Sequence, residues 1–464
     1  MGQGDAVAVK PRAMFDVGIH EKLPFGQLLL LGFQNIFGMT GIFVFPGLLG
    51  RSFNMPPEQI AYLYGMTFVT SGLTTCFQSV GLLRMPIVQG PYFGTFIAIL
   101  IMGHSPGIGL GTAYGSLFVA CLIWAVLAVP IRGFSIIGLF GRFFQSSMIS
   151  GLMVILISFQ IASVSLPNWL GLRTTPGFPF INLLGGFIAV VVFILVTLTG
   201  TRRLRRTAIL LGLVAGTLTY SAFLPISFTP VVTAPWLVVP QAFPFGFGVQ
   251  PEAVFLFVLV MVPCSITCMP LYQAVASWMN EPMPASRMAE GCFGAAIGSA
   301  FGAVVGSFAM NVYPDNIGML RSTRVGSRYA TLAAGVLLVV LGCFIKFDML
   351  LVLVPIVVLG GLATILFGIV LVHGIHLLNN VEWHDRNLIV AGSALMIGLG
   401  GLFISPDVME HLPLVAQLIL KQSAVTGGIT MLILDPLLNS TKTAEASAET
   451  GAETKSEPVS APAG

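Results

Sequence analysis

Apolar positions in this chain come in long continuous runs rather than in alternation or in a helical stripe. Ile181–Leu198, Ala208–Leu224, Ala253–Pro263 with its continuation, and Leu350–Leu371 approach the ~20 residues that cross a bilayer as helix. Read this way, the pattern predicts fourteen segments, starting near 25, 58, 88, 107, 135, 180, 206, 250, 288, 310, 328, 350, 387 and 413. The third (Val88–Gly103) and the tenth (Asn311–Leu320) are short and interrupted by Gly or Pro. The fold class expected is an all-α polytopic membrane protein.

Composition agrees with a lipid-solvated chain. Hydrophobic residues make up 56% and charged residues 8%, against about 25% charged in soluble domains. A net charge of +3 gives no electrostatic footprint for a nucleic-acid partner. The six cysteines all lie in apolar stretches, which argues against a disulfide framework. Cys264 and Cys268 are four apart and would share a helix face, where small packing residues are the ordinary reading rather than a metal site. Residues 1–24 are polar and carry Lys10, Arg12 and Lys22, as a cytoplasmic leader would. From about Thr441 onward the composition cannot build a core, so the tail is expected to be disordered.

The basic residues orient the segments. With the N-terminus cytoplasmic, only Arg51, Arg173, Lys346 and Lys421 fall outside, and the other seventeen of the 21 Lys and Arg fall inside. Both termini are then cytoplasmic, in a multi-pass protein of the plasma (inner) membrane.

The segments also repeat. The first starts near 25 and the eighth near 250, and the two broken segments centre near 92 and 315, an offset of about 225 residues each time. Seven spans followed by seven more must be inverted, because seven is odd. Inverted repeats with interrupted helices at matching positions point to a transporter's binding site. Backbone that leaves the helix at membrane depth must be buried in protein or line a cavity. Val88-Gln-Gly-Pro-Tyr-Phe-Gly94 and Val312-Tyr-Pro-Asp-Asn-Ile-Gly318 fit that description. Two Pro-kinked packing helices would look similar singly, but not at matched places in both halves. Asp315 lies in the second broken segment, whereas nearly all the other acids sit in loops, tails or span ends. A carboxylate there costs ~3 kcal/mol on insertion scales, so it is a candidate for a functional role such as taking up and releasing a proton, with capping of a half-helix N-terminus as a compatible alternative.

Asp315-Asn-Ile-Gly-Met-Leu-Arg-Ser-Thr-Arg324 resembles the signature of the nucleobase–ascorbate transporter family, which includes the uracil and xanthine permeases. That signature reads Gln, Glu or Pro, then Asn, any, Gly, four of any kind, Thr, and Arg, Lys or Gly. Arg84-Met-Pro-Ile-Val-Gln-Gly-Pro91 and Val354-Pro-Ile-Val-Val-Leu-Gly-Gly361 with Leu366-Phe-Gly368 are similar to further stretches of the family, and the likeness runs from about 25 to 437.

The resemblance implies a core domain (25–134, spans 1–4, and 250–346, spans 8–11) moving against a gate domain (135–249, spans 5–7, and 347–437, spans 12–14), with a tail at 438–464. It implies proton symport of a purine or pyrimidine nucleobase by alternating access, and a homodimer. The base would lie between the broken segments, on backbone near Phe93, on Asp315 with backbone help from Pro314, and beside Tyr313 and Asn316. Asp315 would also couple the proton.

Three departures stand out. Asp replaces the expected Gln, Glu or Pro at 315. The eighth span has no acid in Val262-Pro-Cys-Ser-Ile-Thr-Cys-Met-Pro270, where Pro263 or Thr267 takes the place of the family's Glu. The first span carries Gln34-Asn35 in place of Gln-His.

The function expected is secondary transport, not enzymatic and without a cofactor or metal. An anion exchanger or uncoupled carrier of the same fold is the alternative. No G-x-x-x-x-G-K-[ST] loop supports an ATP-driven pump. His373 and His376, three apart on one helix, cannot both face one haem.

Overall fold

The computed structural model describes residues 15–434, apart from 38, 40, 106, 130–146, 172–179, 206, 314–315, 318–319, 321–323 and 380. Pro314 and Asp315 therefore lie outside the described residues, as do the predicted start of the fifth segment near 135, most of the leader and the tail at 438–464.

The helices are α1 Phe25–Phe37, α2 Phe45–Ser52, α3 Pro57–Cys76, α4 Phe93–His104, α5 Gly109–Ala128, α6 Ser147–Leu170, α7 Phe180–Thr199, α8 Ala208–Ser221, α9 Pro251–Trp278, α10 Ala285–Val304, α11 Arg328–Cys343, α12 Ile345–Val352, α13 Ile356–Leu378, α14 Asp385–Gly400, α15 Leu414–Leu420 and α16 Ser423–Leu434. Single turns at Arg202–Arg205, Thr229–Thr233 and Pro406–Glu410 join them. Two short strands, β1 Gln89–Pro91 and β2 Met310–Val312, fall where the sequence predicts broken segments. Most helices begin within a few residues of the predicted starts. Among the described residues, five helices are long and apolar enough to cross a membrane, or seven if each of two bent pairs counts once. One bent pair is α1 with Gly41–Ser52, turned by 69°.

The packing falls into two sets. In the first, α3 lies on α11, α1 on α11, and α5 on α9 and α10. In the second, α6 lies on α13, α7 on α8 and α13, and α14 on α6. The sets meet where α2 touches α13 and α4 touches α6. Lipid tails are as apolar as Leu, so helices in a bilayer associate through close packing, which small residues permit. The α3–α11 seam is built that way. A Cβ on Gly72 would stand 2.5 Å from the Gly335 carbonyl, and one on Gly65 would stand 2.6 Å from the Gly342 carbonyl. The glycines are seven apart on both helices, so backbone meets backbone twice along the seam.

Candidate functional site

In the first broken segment helix is interrupted for a local reason. Pro91 has no N–H and disfavours helix at Gly90. Each interruption strands backbone donors and acceptors in the interior, where no water can take them up. The two segments solve this by pairing with each other. β1 and β2 form an antiparallel ladder in the register Gln89–Val312, Gly90–Asn311, Pro91–Met310, and every residue of both strands is buried. Bonds from Tyr92 N–H to Ala309 O (2.7 Å) and from Tyr313 N–H to Val88 O (3.2 Å) extend it.

A two-stranded ladder still has two outer edges, and hydroxyls cap them. Gln89 N–H donates to Thr75 Oγ1 of α3 (2.9 Å). Met310 N–H donates to Ser299 Oγ of α10 (2.8 Å). Val312 N–H is taken by its neighbour's amide oxygen, Asn311 Oδ1, at 2.7 Å. These caps satisfy groups that would each cost about 1–3 kcal/mol if buried without a partner.

Because the strands are antiparallel, the chain leaves the ladder in opposite directions. α4 starts at Phe93 beyond one end, with Tyr92 as its extended N-cap residue. Tyr313 leaves at the other end, and helical turn follows at Asn316 and Ile317. The first N–H groups of α4 have no intrahelical acceptor, and the positive end of its dipole faces the ladder.

Of the predicted residues, Phe93, Thr267, Tyr313 and Asn316 are described, and they come from α4, α9 and the segment that follows β2. Phe93 heads α4, and its half-buried ring meets Phe367 of α13 edge-on at 5.7 Å. Phe45 of α2 stacks on both Phe96 (5.0 Å) and Phe367 (5.9 Å), so an aromatic layer joins the two helix sets beside the ladder. The Tyr313 ring lies across Gly90, where a Cβ would come within 2.6 Å of Tyr313 Cδ2 and 2.8 Å of Met39 Cε. Its hydroxyl lies against Gly41 in the break of the first span. Thr267 of α9 reaches β2 by accepting from Asn311 Nδ2 at 3.1 Å, while its own hydroxyl returns to Pro263 O and Cys264 O. Of the two positions the sequence left open in this helix, Thr267 bonds a side chain of the ladder. Asn316, 2% exposed, donates to Asn35 O (2.8 Å) and Asn35 Oδ1 (3.0 Å).

Several residues at this crossing escape sequence reasoning. Asn35 accepts from Asn316 of the signature, and its only trace in the sequence is the Gln34-Asn35 departure in the first span. Asn311 ties β2 to α9, and Cys268 donates to its amide oxygen. Cys264 points at Met310 O (3.9 Å), so this cysteine pair packs on β2 itself. Phe367 contributes a ring from a helix remote in sequence. A cavity of about 710 Å³ lies elsewhere, lined by Arg51, Asn54, Ile60, Tyr220, Val352 and Val357 among others. None of Phe93, Thr267, Tyr313 and Asn316 lines it.

The profile of the Permease family, xanthine and uracil type, matches residues 26–406. A Clostridium perfringens chain provisionally named purine permease CPE0397 is 30% identical over 437 residues, covering 92% of this chain and 94% of its own. The nucleobase transporter PlUacP of Paenibacillus larvae is 26% identical (88% and 94% covered). The uric acid transporter UacT of Escherichia coli is 25% identical (89% and 86%). Among solved structures, the transmembrane domain of a cyanobacterium bicarbonate transporter, BicA, superposes with a TM-score of 0.51 at 13% identity, covering 90% of this chain and 98% of that one. Murine Slc26a9, an anion transporter in the inward-facing state, gives 0.59 at 13% identity, with 90% and 70% covered. Those two likenesses show a shared fold.

Proposed function

Because this multi-pass membrane protein belongs to the xanthine and uracil Permease family, we propose that it imports a purine or pyrimidine nucleobase by proton symport with alternating access. The observation that supports the reading is the buried β1–β2 ladder, which pairs the two broken segments and leaves the start of α4 at one of its ends and Tyr313 at the other. A planar base presents adjacent N–H donors and C=O acceptors. The free backbone N–H groups at Phe93 can read a carbonyl, and the carboxyl of Asp315 with the backbone of Pro314 can read an N–H edge. Tyr313 and the Phe93–Phe367 layer supply the apolar faces that a heterocycle needs. Asn316, tied to Asn35, holds the signature in place, and Thr267 holds β2 on α9.

The movement in this reading is that of one helix set against the other. The core comprises 25–134 and 250–346, and the gate 135–249 and 347–437, arranged as a seven-plus-seven inverted repeat of fourteen spans with both termini cytoplasmic. The gate also forms the homodimer contact. Asp315 is the acid at the base and takes up the coupling proton. When neutral it both donates and accepts, and when ionised it only accepts, so its protonation state changes how the base is held. The anion-transporting structures of similar fold bear on the fold alone, and a carboxylate at 315 would repel an anion.

Uptake of a panel of labelled purines and pyrimidines by cells expressing the protein, with and without a protonophore, tests the proposal. The expected result is concentrative uptake of at least one base, abolished by the protonophore. Uptake of bicarbonate or chloride with no base transported would refute it. Asp315→Asn, which keeps an acceptor but cannot titrate, should retain binding and lose accumulation against a gradient.

A further inference from the structure

A second acid is buried far from the ladder. Asp348 lies on α12, the short helix between α11 and α13. It is 0% exposed, and neither carboxyl oxygen has a hydrogen-bond partner among the described residues. Its carboxyl occupies space left by a missing side chain, because a Cβ on Gly65 of α3 would stand 2.7 Å from Asp348 Oδ2. The α3–α11 seam closes over it at the same level, since that Cβ would also meet the Gly342 carbonyl at 2.6 Å.

The groups facing Asp348 offer it no charge. α12 packs on α3, on α11 and on the turn Thr229–Thr233. From α3 it is faced by Tyr64, and from the end of α11 by Cys343. The other ionisable groups of these helices are Glu58, Tyr62 and Cys76 on α3 and Arg328 and Tyr329 at the far end of α11, while Thr229–Thr233 has none. On α12 itself, Lys346 donates to Val232 O at 3.2 Å and lies 4.5 Å from the Trp236 ring centre. Arg51 of α2 acts on Tyr64, but its guanidinium donates to Val352 O (2.8 Å) and Val354 O (3.1 Å). A fully buried ionised carboxylate with no donor or cation against it is strongly disfavoured, so this closed arrangement favours Asp348 in its neutral form.

Two connections give that neutrality a consequence. Val352, one helical turn from Asp348 on the same face, lines the 710 Å³ cavity together with Arg51 and Ile60. On the proposed orientation this cavity is on the outer side. In the other direction, Tyr64 donates to Phe43 O at 3.0 Å, in the Gly41–Phe43 turn, and Gly41 carries the Tyr313 hydroxyl. Tyr64, next in sequence to the Gly65 that makes room for Asp348, thus joins this region to the turn beside Tyr313.

We propose that Asp348 is a second proton-binding group of the transport cycle, whose ionised form requires the outer cavity to open onto it and whose neutral form lets α3, α11 and α12 close. The carboxylate takes a proton from water in that cavity and is then buried without penalty. Closure thus waits for the proton, which links proton entry to the outward-to-inward step. The inference rests on the proton symport proposed above and adds a residue outside the base site.

Its test reads Asp348 separately from transport. Dicyclohexylcarbodiimide, an apolar reagent that attacks only protonated carboxyls, is applied to the full chain in liposomes across a pH series, and the labelled residue is located by peptide mass mapping. The expected result is labelling at Asp348 that falls as pH rises. In parallel, Asp348→Asn should still exchange labelled base across the membrane at equilibrium yet lose accumulation driven by a pH gradient. Absence of label at Asp348 at every pH overturns the proposal, as does an Asn variant that accumulates base with the wild-type pH profile. If the Asn variant fails to fold, the wild-type labelling decides alone. If wild-type protein carries no base, the transport reading fails on its own while the labelling still reports whether Asp348 binds a proton.

Discussion

Replacing Gly90 with alanine adds one methyl at the centre of the ladder. That methyl would lie 2.6 Å from Tyr313 Cδ2 and 2.8 Å from Met39 Cε. Ordinary carbon contacts are about 3.5–4.0 Å, so the ring must retreat by about 1 Å. It has little room to do so. The Tyr313 backbone is bonded to Val88, its hydroxyl abuts Gly41, and Gly90 is held in register with Asn311. Forcing a methyl into such a site costs about 1–3 kcal/mol. If that strain falls on the bound state, affinity drops about 5- to 150-fold, since 1.4 kcal/mol is a factor of ten. The measurement is equilibrium binding of a labelled base to purified protein, with a thermal melt of each variant. Gly392→Ala on α14 is the control, because nothing lies within 4 Å of the added Cβ. There the exposed helix should keep wild-type affinity and melt no lower, alanine being favoured over glycine in helices by about 1 kcal/mol. A Gly90→Ala protein with wild-type affinity and melting temperature would refute the claim that this contact shapes the site.

Asn35→Ala and Asn316→Ala should each destabilise by about 1–3 kcal/mol by leaving buried polar atoms unpaired. Their double variant should lose less than the sum, and additive losses in melting or denaturant curves would show the amide pair to be uncoupled. Thr75→Val strands the Gln89 N–H and should lower the melting temperature by an amount equivalent to about 1–3 kcal/mol, whereas no change would mean that the strand edge has another partner. If the backbone of Phe93 reads the base, Phe93→Leu keeps most binding, and a loss as large as that of Gly90→Ala would assign the ring instead. Reporter fusions after Arg203 and Arg324 should report cytoplasm and one after Arg173 the opposite side. A periplasmic signal after Arg203 would break the fourteen-span arrangement.

Much of the site could be read from the chain because its signals are local. Pro91 and Gly90 end helix wherever they stand, so the break before Phe93 is visible without knowing what pairs with it. The signature around Asn316 is a contiguous string. Asp315 stands out as an acid in an apolar segment, whereas Asp348 does not, because the few residues around it look like the end of a span. Burial of Asp348 comes from Gly65 and Tyr64, nearly three hundred positions away, and no window on the sequence contains both.

Composition and the length of the apolar runs were enough to determine the solvent and the helical class, and the Gly and Pro positions marked where helix must fail. Those properties follow from transfer energies and backbone restrictions that act within a turn or a span. The tertiary structure alone decided which broken segment satisfies which. The register Gln89–Val312, the caps from Thr75 and Ser299, the Asn316–Asn35 amide pair and the bond between Asn311 and Thr267 all join elements distant in sequence. Stranded backbone groups must find partners, which is a local demand, but several partners would meet it equally well. Only the packing of α3, α9 and α10 around the crossing selects among them.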